Sequence, residues 1–182
     1  MAGASSYFVE WDTVSSFNSA ALRSATSAAS QATVGPLSDG TWYWRVTARD
    51  EVGNVSLPST ADSFLVDTVS PAAPGVLLAL GDTHVQSGVG VRVDISAPGS
   101  AQMQVAMDGV IDAEPWETLQ SPVFRSLAPA GDGSRTVLVR VRDLAGNESL
   151  VTGATVKVDS SAPMVGSVLV GDGSGYVTSG DG

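Results

Sequence analysis

Trp42-Tyr43-Trp44-Arg45-Val46-Thr47-Ala48-Arg49, followed at once by Asp50-Glu51-Val52-Gly53-Asn54-Val55-Ser56, is the stretch of sequence that decides the fold. In its first half apolar and polar side chains alternate, which predicts a half-buried β-strand. Its second half places Gly and Asn together, which is typical of a tight turn. The same order returns 93 positions further on, where residues 137–142 alternate and residues 143–149 read Asp-Leu-Ala-Gly-Asn-Glu-Ser. The shared turn pattern is D-x-x-G-N-x-S.

Two further blocks repeat in the same order. Residues 66–71 match residues 158–163 at an offset of 92, and residues 81–88 resemble residues 171–180. A period of this size fits one immunoglobulin-like sandwich. We therefore predict a partial sandwich over 1–69, a complete sandwich over 70–160, and the first strand of a further repeat over 161–182. The first sandwich is expected to lack its initial strands, because nothing before Tyr7 could supply them, so the chain is expected to belong to a longer array.

Further strands are predicted by alternation at residues 7–11, 91–95 and 101–107. No segment carries a helical stripe of large apolar residues, and Ala20–Ala32 is predicted as strand and loop. The predicted fold is all-β, with tandem immunoglobulin-like β-sandwiches. The predicted core residues are Trp42, Trp44, Val46, Val93, Ile95, Val105, Val137, Val139 and Val141.

Composition excludes several classes of partner. The formal net charge is −10 and the acidic residues are spread along the chain, which disfavours binding to nucleic acid or to anionic lipid. No apolar run reaches transmembrane length, so we expect no membrane insertion. Cysteine is absent, which excludes disulfides and thiolate metal sites.

Two families share motifs with the chain. Residues 7–12 and 37–48 resemble the second half of a fibronectin type III domain, in which a tyrosine at the position of Trp42 makes a corner hydrogen bond. The indole N–H therefore needs another acceptor if Trp42 is buried. Residues 71–159 resemble the bacterial Ig-like repeats of surface proteins and adhesins, through Asp108-Gly109, Trp116, residues 131–137 and the D-x-x-G-N turn. The resemblance implies an extracellular or cell-surface protein without catalytic activity.

Catalytic residues are scarce in this sequence. The only histidine is His84, which aligns with Tyr176 and is expected at a half-buried aromatic position rather than as a general base. No nucleophile elbow occurs. The acids at 112, 114 and 117 surround Trp116, a mixture that a sugar site with an aromatic platform requires. The alternative is that Trp116 fills or covers the core, and we predict that the chain is not an enzyme.

Calcium is the metal that the acidic residues could hold, since it takes carboxylate, amide and carbonyl oxygens. The candidate ligands form two groups at the ends of the predicted domains: Asp50, Asn54 and Asp67, and then Asp143, Asn147 and Asp159. In the alternative interpretation Asp and Asn stabilise the turn by bonding its backbone, while Gly53 and Gly146 supply positive φ.

The predicted function is a structural or adhesive repeat segment of a bacterial surface protein, whose protein partners are neighbouring repeats. Residues 164–182 of one chain could fill the missing strands of another and build a filament. Two alternatives stay open at this point. One is an accessory module of a secreted carbohydrate-active enzyme, and the other is a module that binds glycan or protein through Trp116.

Overall fold

The computed structural model describes residues 3–166, and this part of the chain is all-β without an α-helix. Its strands are β1 (Ser6–Asp12), β2 (Arg23–Ser27), β3 (Gly40–Arg49), β4 (Asp62–Val66), β5 (Gly75–Leu78), β6 (His84–Val85), β7 (Val91–Ser96), β8 (Gln102–Ala106), β9 (Glu117–Thr118), β10 (Val123–Arg125), β11 (Gly133–Arg142) and β12 (Thr152–Val158). A 3-10 turn at Ala79–Gly81 separates β5 from β6. Within residues 3–166, no helix has the length and apolar character needed to cross a lipid bilayer.

The first unit, which we define as residues 6–66, is one four-stranded antiparallel sheet in the order β2-β1-β3-β4. Val9 lies opposite Val46 at the centre of the sheet, and β4 returns along β3 with Val66 opposite Gly40. The alternation of residues 42–49 therefore gives the predicted strand. Within Ala20–Ala32, the strand part is β2, as predicted.

The second unit, residues 75–158, is an immunoglobulin-like sandwich of two sheets. The sheet β10-β7-β5 faces the sheet β6-β12-β11-β8-β9, and both contribute apolar side chains to a common core. Val93 of one sheet and Val137, Val139 and Val141 of the other are completely buried. These residues were predicted as core, and the all-β immunoglobulin-like fold is confirmed.

The two units repeat the same central pair of strands, β1 with β3 and β8 with β11. Val105 lies opposite Val139 in the second unit, in the same relation as Val9 and Val46 in the first. Each D-x-x-G-N motif forms the turn after the long strand, and its glycine has a positive φ of 95° at Gly53 and 93° at Gly146. A side chain at either glycine would strain the backbone. The two copies of the turn thus have the same local structure.

The first unit differs from the second in one respect: the described residues contain no second sheet over its apolar face. Trp44 and Val46 correspond to the completely buried Val137 and Val139, yet both are only half-buried. The prediction that Trp44 and Val46 belong to a closed core is therefore wrong for this structure. The predicted strand over 161–182 lies mostly at residues 167–182, outside the described part of the chain.

Candidate functional site

The two groups of residues predicted to bind calcium are not assembled by the fold. Because β4 runs antiparallel to β3, Asp67 follows the end of the hairpin that is farthest from Asp50. A strand of ten residues such as β3 separates its two ends by roughly 30 Å. The same holds in the second unit, where Gly133 lies opposite Val158, so Asp159 and Asp143 lie at opposite ends of β11. In residues 3–166 no cluster of three or more acidic or histidine side chains could hold a metal ion.

The carboxylates of the two turns bond the turn itself. Asp143 Oδ1 accepts the backbone N–H of Asn147 at 3.0 Å, and Oδ2 accepts the Asn147 side-chain amide at 2.9 Å. Asp50 accepts the same two bonds from Asn54, each at 2.8 Å. The side-chain bond from Asn147 is the main cause that lowers the pKa of Asp143, and the bond from Asn54 does the same for Asp50. The alternative interpretation of these residues, as turn-stabilising groups, matches this geometry.

A second repeated contact, missed from the sequence, fastens the segment that leaves each unit. Asp39 Oδ1 accepts the backbone N–H of Thr68 at 3.2 Å and its hydroxyl at 2.9 Å. In the second unit Asp132 Oδ1 accepts the N–H and hydroxyl of Ser160 at 2.9 and 2.5 Å. We call each of these contacts an exit clamp. Its sequence signal is an Asp-Gly pair at the start of each long strand, repeated at an offset of 93.

The linker between the units contacts the turn of the second unit. Asn147 Nδ2 donates to the backbone carbonyl of Asp67 at 3.0 Å, in addition to its bond with Asp143. Asn147 is half-buried in this position, while its counterpart Asn54 is exposed. Among the six candidate calcium ligands, Asp67, Asp143 and Asn147 are thus brought together. Two hydrogen bonds from the Asn147 amide join them directly.

Trp116 is half-buried on the outer face of the second sandwich, so it does not fill the core between the two sheets. The guanidinium carbons of Arg142 and Arg140 stand 4.3 and 5.2 Å from its ring centre, a cation–π arrangement. Gln104 is 6% exposed, donates to Glu114 O at 2.6 Å and accepts a hydrogen bond from the Arg140 guanidinium at 2.6 Å. The two arginines therefore already cover part of the aromatic surface that a sugar would need.

The acids near Trp116 and the single histidine have ordinary structural partners. Glu117 pairs with Arg125 at 2.7 Å, and Glu114 Oε2 accepts the backbone N–H of Asp112 at 2.9 Å. His84 is exposed on β6, so the expectation of a half-buried position is wrong. Its Nδ1 lies 2.9 Å from the Thr83 hydroxyl.

The apolar face of the first unit forms an open groove. Its volume is about 510 Å³, and it lies between the sheet and residues 29–34, with Tyr7, Trp44 and Phe64 among its lining residues. Trp11 is 6% exposed, and its indole N–H is buried without an acceptor among the described residues. At the side of this sheet, the described part of the chain leaves the outer edge of β4 without a neighbouring strand. The first unit thus offers an apolar face, a buried donor and a free strand edge together.

Known proteins share only a weak similarity with this chain. No known protein family matches the chain, and no curated protein matches it. Among solved structures, the fibronectin(III)-like modules of Clostridium thermocellum CbhA align over 86% of this chain and 78% of theirs, with 15% sequence identity and a TM-score of 0.41. At this level of similarity the assignment of the fold rests on the sheets described above.

Proposed function

We propose that the chain is a non-catalytic structural segment of a bacterial surface or extracellular protein, whose β-sheet units act as spacers and resist tension along the chain. Support comes from the repeated motifs, whose polar side chains bond the backbone of turns and linkers rather than converge on a cleft. A spacer of this kind serves equally beside an adhesive or a catalytic domain. The proposal therefore concerns what the units do mechanically.

The observation that carries the proposal is the parallel pairing of β6, the second strand of the second unit, with β12, its last strand. Lys157 N–H donates to Thr83 O at 2.9 Å, and Asp159 N–H donates to Val85 O at 3.0 Å. Once tension has pulled β5 away from β7, it draws β6 and β12 in opposite directions along their length. Both hydrogen bonds are then loaded at the same time instead of opening one after the other.

Force spectroscopy on the full chain, pulled from its two ends, tests this role. Unfolding of the second unit is identified by a length release of roughly 300 Å, the contour length of residues 75–158. Asp159→Pro removes one donor of the parallel pair, because proline has no N–H, and should lower the unfolding force. The matched Asp67→Pro variant changes the counterpart residue after β4, which pairs only with β3 in the described residues, and should leave that force unchanged. Equal forces for the wild type and Asp159→Pro would refute the proposal.

A second candidate function is self-assembly by strand exchange, favoured by the open face of the first unit. In the second unit, β6 covers the edge of β12 at Lys157 and Val158, and the corresponding edge in the first unit is Leu65 and Val66 on β4. The sequence that aligns with His84-Val85 is Tyr176-Val177, which lies outside the described residues. We propose that residues 164–182 of a second copy supply this strand, where main-chain bonds would give affinity.

Light scattering after size exclusion, at rising protein concentration, tests strand exchange. The full chain should form oligomers in proportion to concentration, and a chain ending at Gly166 should stay monomeric. Val177→Pro in the full chain, which removes one strand donor, should weaken assembly. A full chain that is monomeric throughout rejects the proposal. Oligomers that persist after truncation also reject it, because they indicate that apolar faces of two copies pack together instead.

A further inference from the structure

The junction between the units is fixed at both sides of a short linker. On the side of the first unit, the exit clamp holds Thr68 through both its N–H and its hydroxyl. On the side of the second unit, Asn147 donates its side-chain amide to the carbonyl of Asp67, one residue earlier. Two neighbouring residues of the linker are therefore bonded to different units, and a rotation of one unit against the other must break one of these contacts.

The amide of Asn147 is suited to this role by the turn in which it lies. One hydrogen bond to Asp143 fixes the orientation of the side chain, and an amide nitrogen has two hydrogens to donate. The second hydrogen is available for the linker. Gly146, which precedes it, has the positive φ of this turn, and the contact with Asp67 places Asn147 at the junction.

We propose that the asparagine of the D-x-x-G-N turn is an alignment residue: its side-chain amide donates a hydrogen bond to the linker carbonyl of the preceding unit and so sets the angle between neighbouring units. The partner that this turn fits is another unit of the same kind, whose exit clamp holds its linker in place. Asn54 has the same turn geometry and, in residues 3–166, donates its amide only to Asp50. Asn54 thus has an amide hydrogen for the linker of a preceding unit, and Asp159 is the counterpart of Asp67 in the repeat, at an offset of 92.

The two copies of the motif provide a matched experiment. The chain contains no cysteine, so Ser24→Cys and Thr118→Cys place one spin label on an exposed site of each unit, and pulsed electron paramagnetic resonance gives the distribution of distances between them. Asn147→Ala should broaden that distribution, because a single neutral hydrogen bond biases an equilibrium roughly 2- to 10-fold. Asn54→Ala removes the same bonds within its own turn but none at the junction, and should leave the distribution as in the wild type.

The exit clamps give an independent pair of variants. Asp39→Ala frees Thr68 and should also broaden the distribution, whereas Asp132→Ala frees Ser160, beyond the second unit, and should not. Circular dichroism of each variant shows whether both units remain folded.

If Asn147→Ala gives the same narrow distribution as Asn54→Ala, the alignment role is wrong, even where Asp39→Ala has an effect. If Asn147→Ala unfolds the second unit while Asn54→Ala leaves the first unit folded, the side chain of Asn147 is needed for the stability of its own unit, and the proposal also fails. These outcomes are separate from the force measurement, which depends on β6 and β12.

Discussion

Trp42 and Trp44 lie two positions apart on the same side of β3, yet their surroundings differ. Trp42 is 2% exposed, and its indole N–H donates to the carbonyl of Ser38 at 2.9 Å. This bond takes the place of the corner bond that a tyrosine makes in fibronectin type III domains, and it supplies the acceptor that the sequence required. Trp44 instead faces the open groove and remains half-buried. Position in the alternation therefore sets the direction of a side chain, while its burial depends on what lies over the sheet.

This contrast predicts unequal costs for the two truncations. Trp42→Ala should lower the free energy of unfolding of the first unit by about 3–5 kcal/mol, as for a large buried aromatic residue, and it also leaves the Ser38 carbonyl without its donor. Trp44→Ala should cost at least about 1 kcal/mol less, because part of its surface is already in contact with water. Chemical denaturation followed by circular dichroism measures both values. A larger loss for Trp44→Ala would show that its face is covered, for instance by another copy of the chain.

At the scale of elements, the long strands and the turns after them could be predicted, whereas the pairing of strands that are distant in sequence could not. Alternation and turn chemistry act over a few residues, so β3, β11 and both D-x-x-G-N turns follow from the sequence. The calcium groups failed because Asp67 is near Asp50 along the chain, while the reversal of β4 carries it to the far end of the sheet. The parallel pairing of β6 with β12 joins strands about seventy residues apart, and no local pattern encodes it.

The last residue of the motif shows how one local pattern can have different energetic weight. Ser149 Oγ accepts the N–H of Val141 at 3.1 Å in a buried position. Ser56 Oγ accepts the N–H of Ala48 at 3.0 Å in an exposed one. A buried donor without an acceptor costs more than one that water can reach. The sequence contains the serine in both copies, but the burial of Ser149 in the second unit makes its hydrogen bond contribute more to stability than that of Ser56.

At the scale of the whole molecule, the formal net charge is −10, and five of the aspartates that contribute to it are tied into the fold by hydrogen bonds. Hydrogen bonds from Asn54, Asn147 and Ser160 hold the pKa of Asp50, Asp143 and Asp132 below the ordinary value of 3.8. The side chain of Arg92 does the same for the pKa of Asp94. For Asp12, burial alone would raise the pKa, but the bonds from Ser19 and Thr13 outweigh it and lower the pKa. These groups are spread over both units, and all of them favour the charged form in the folded state.

The shifts predict how stability depends on pH. A carboxyl whose pKa is lower in the folded than in the unfolded state stabilises the fold above the unfolded value, and this contribution is lost as the pH falls from about 3.8 through the lower folded pKa. The melting temperature should therefore fall as the pH is lowered below about 4. Asp132→Asn retains an acceptor oxygen for Ser160 but cannot titrate, so its melting temperature should fall less steeply in that range. Thermal unfolding from pH 7 to 3 measures both curves. Parallel curves would mean that the exit clamp of Asp132 does not depend on its charge, and that acid unfolding begins elsewhere in the molecule.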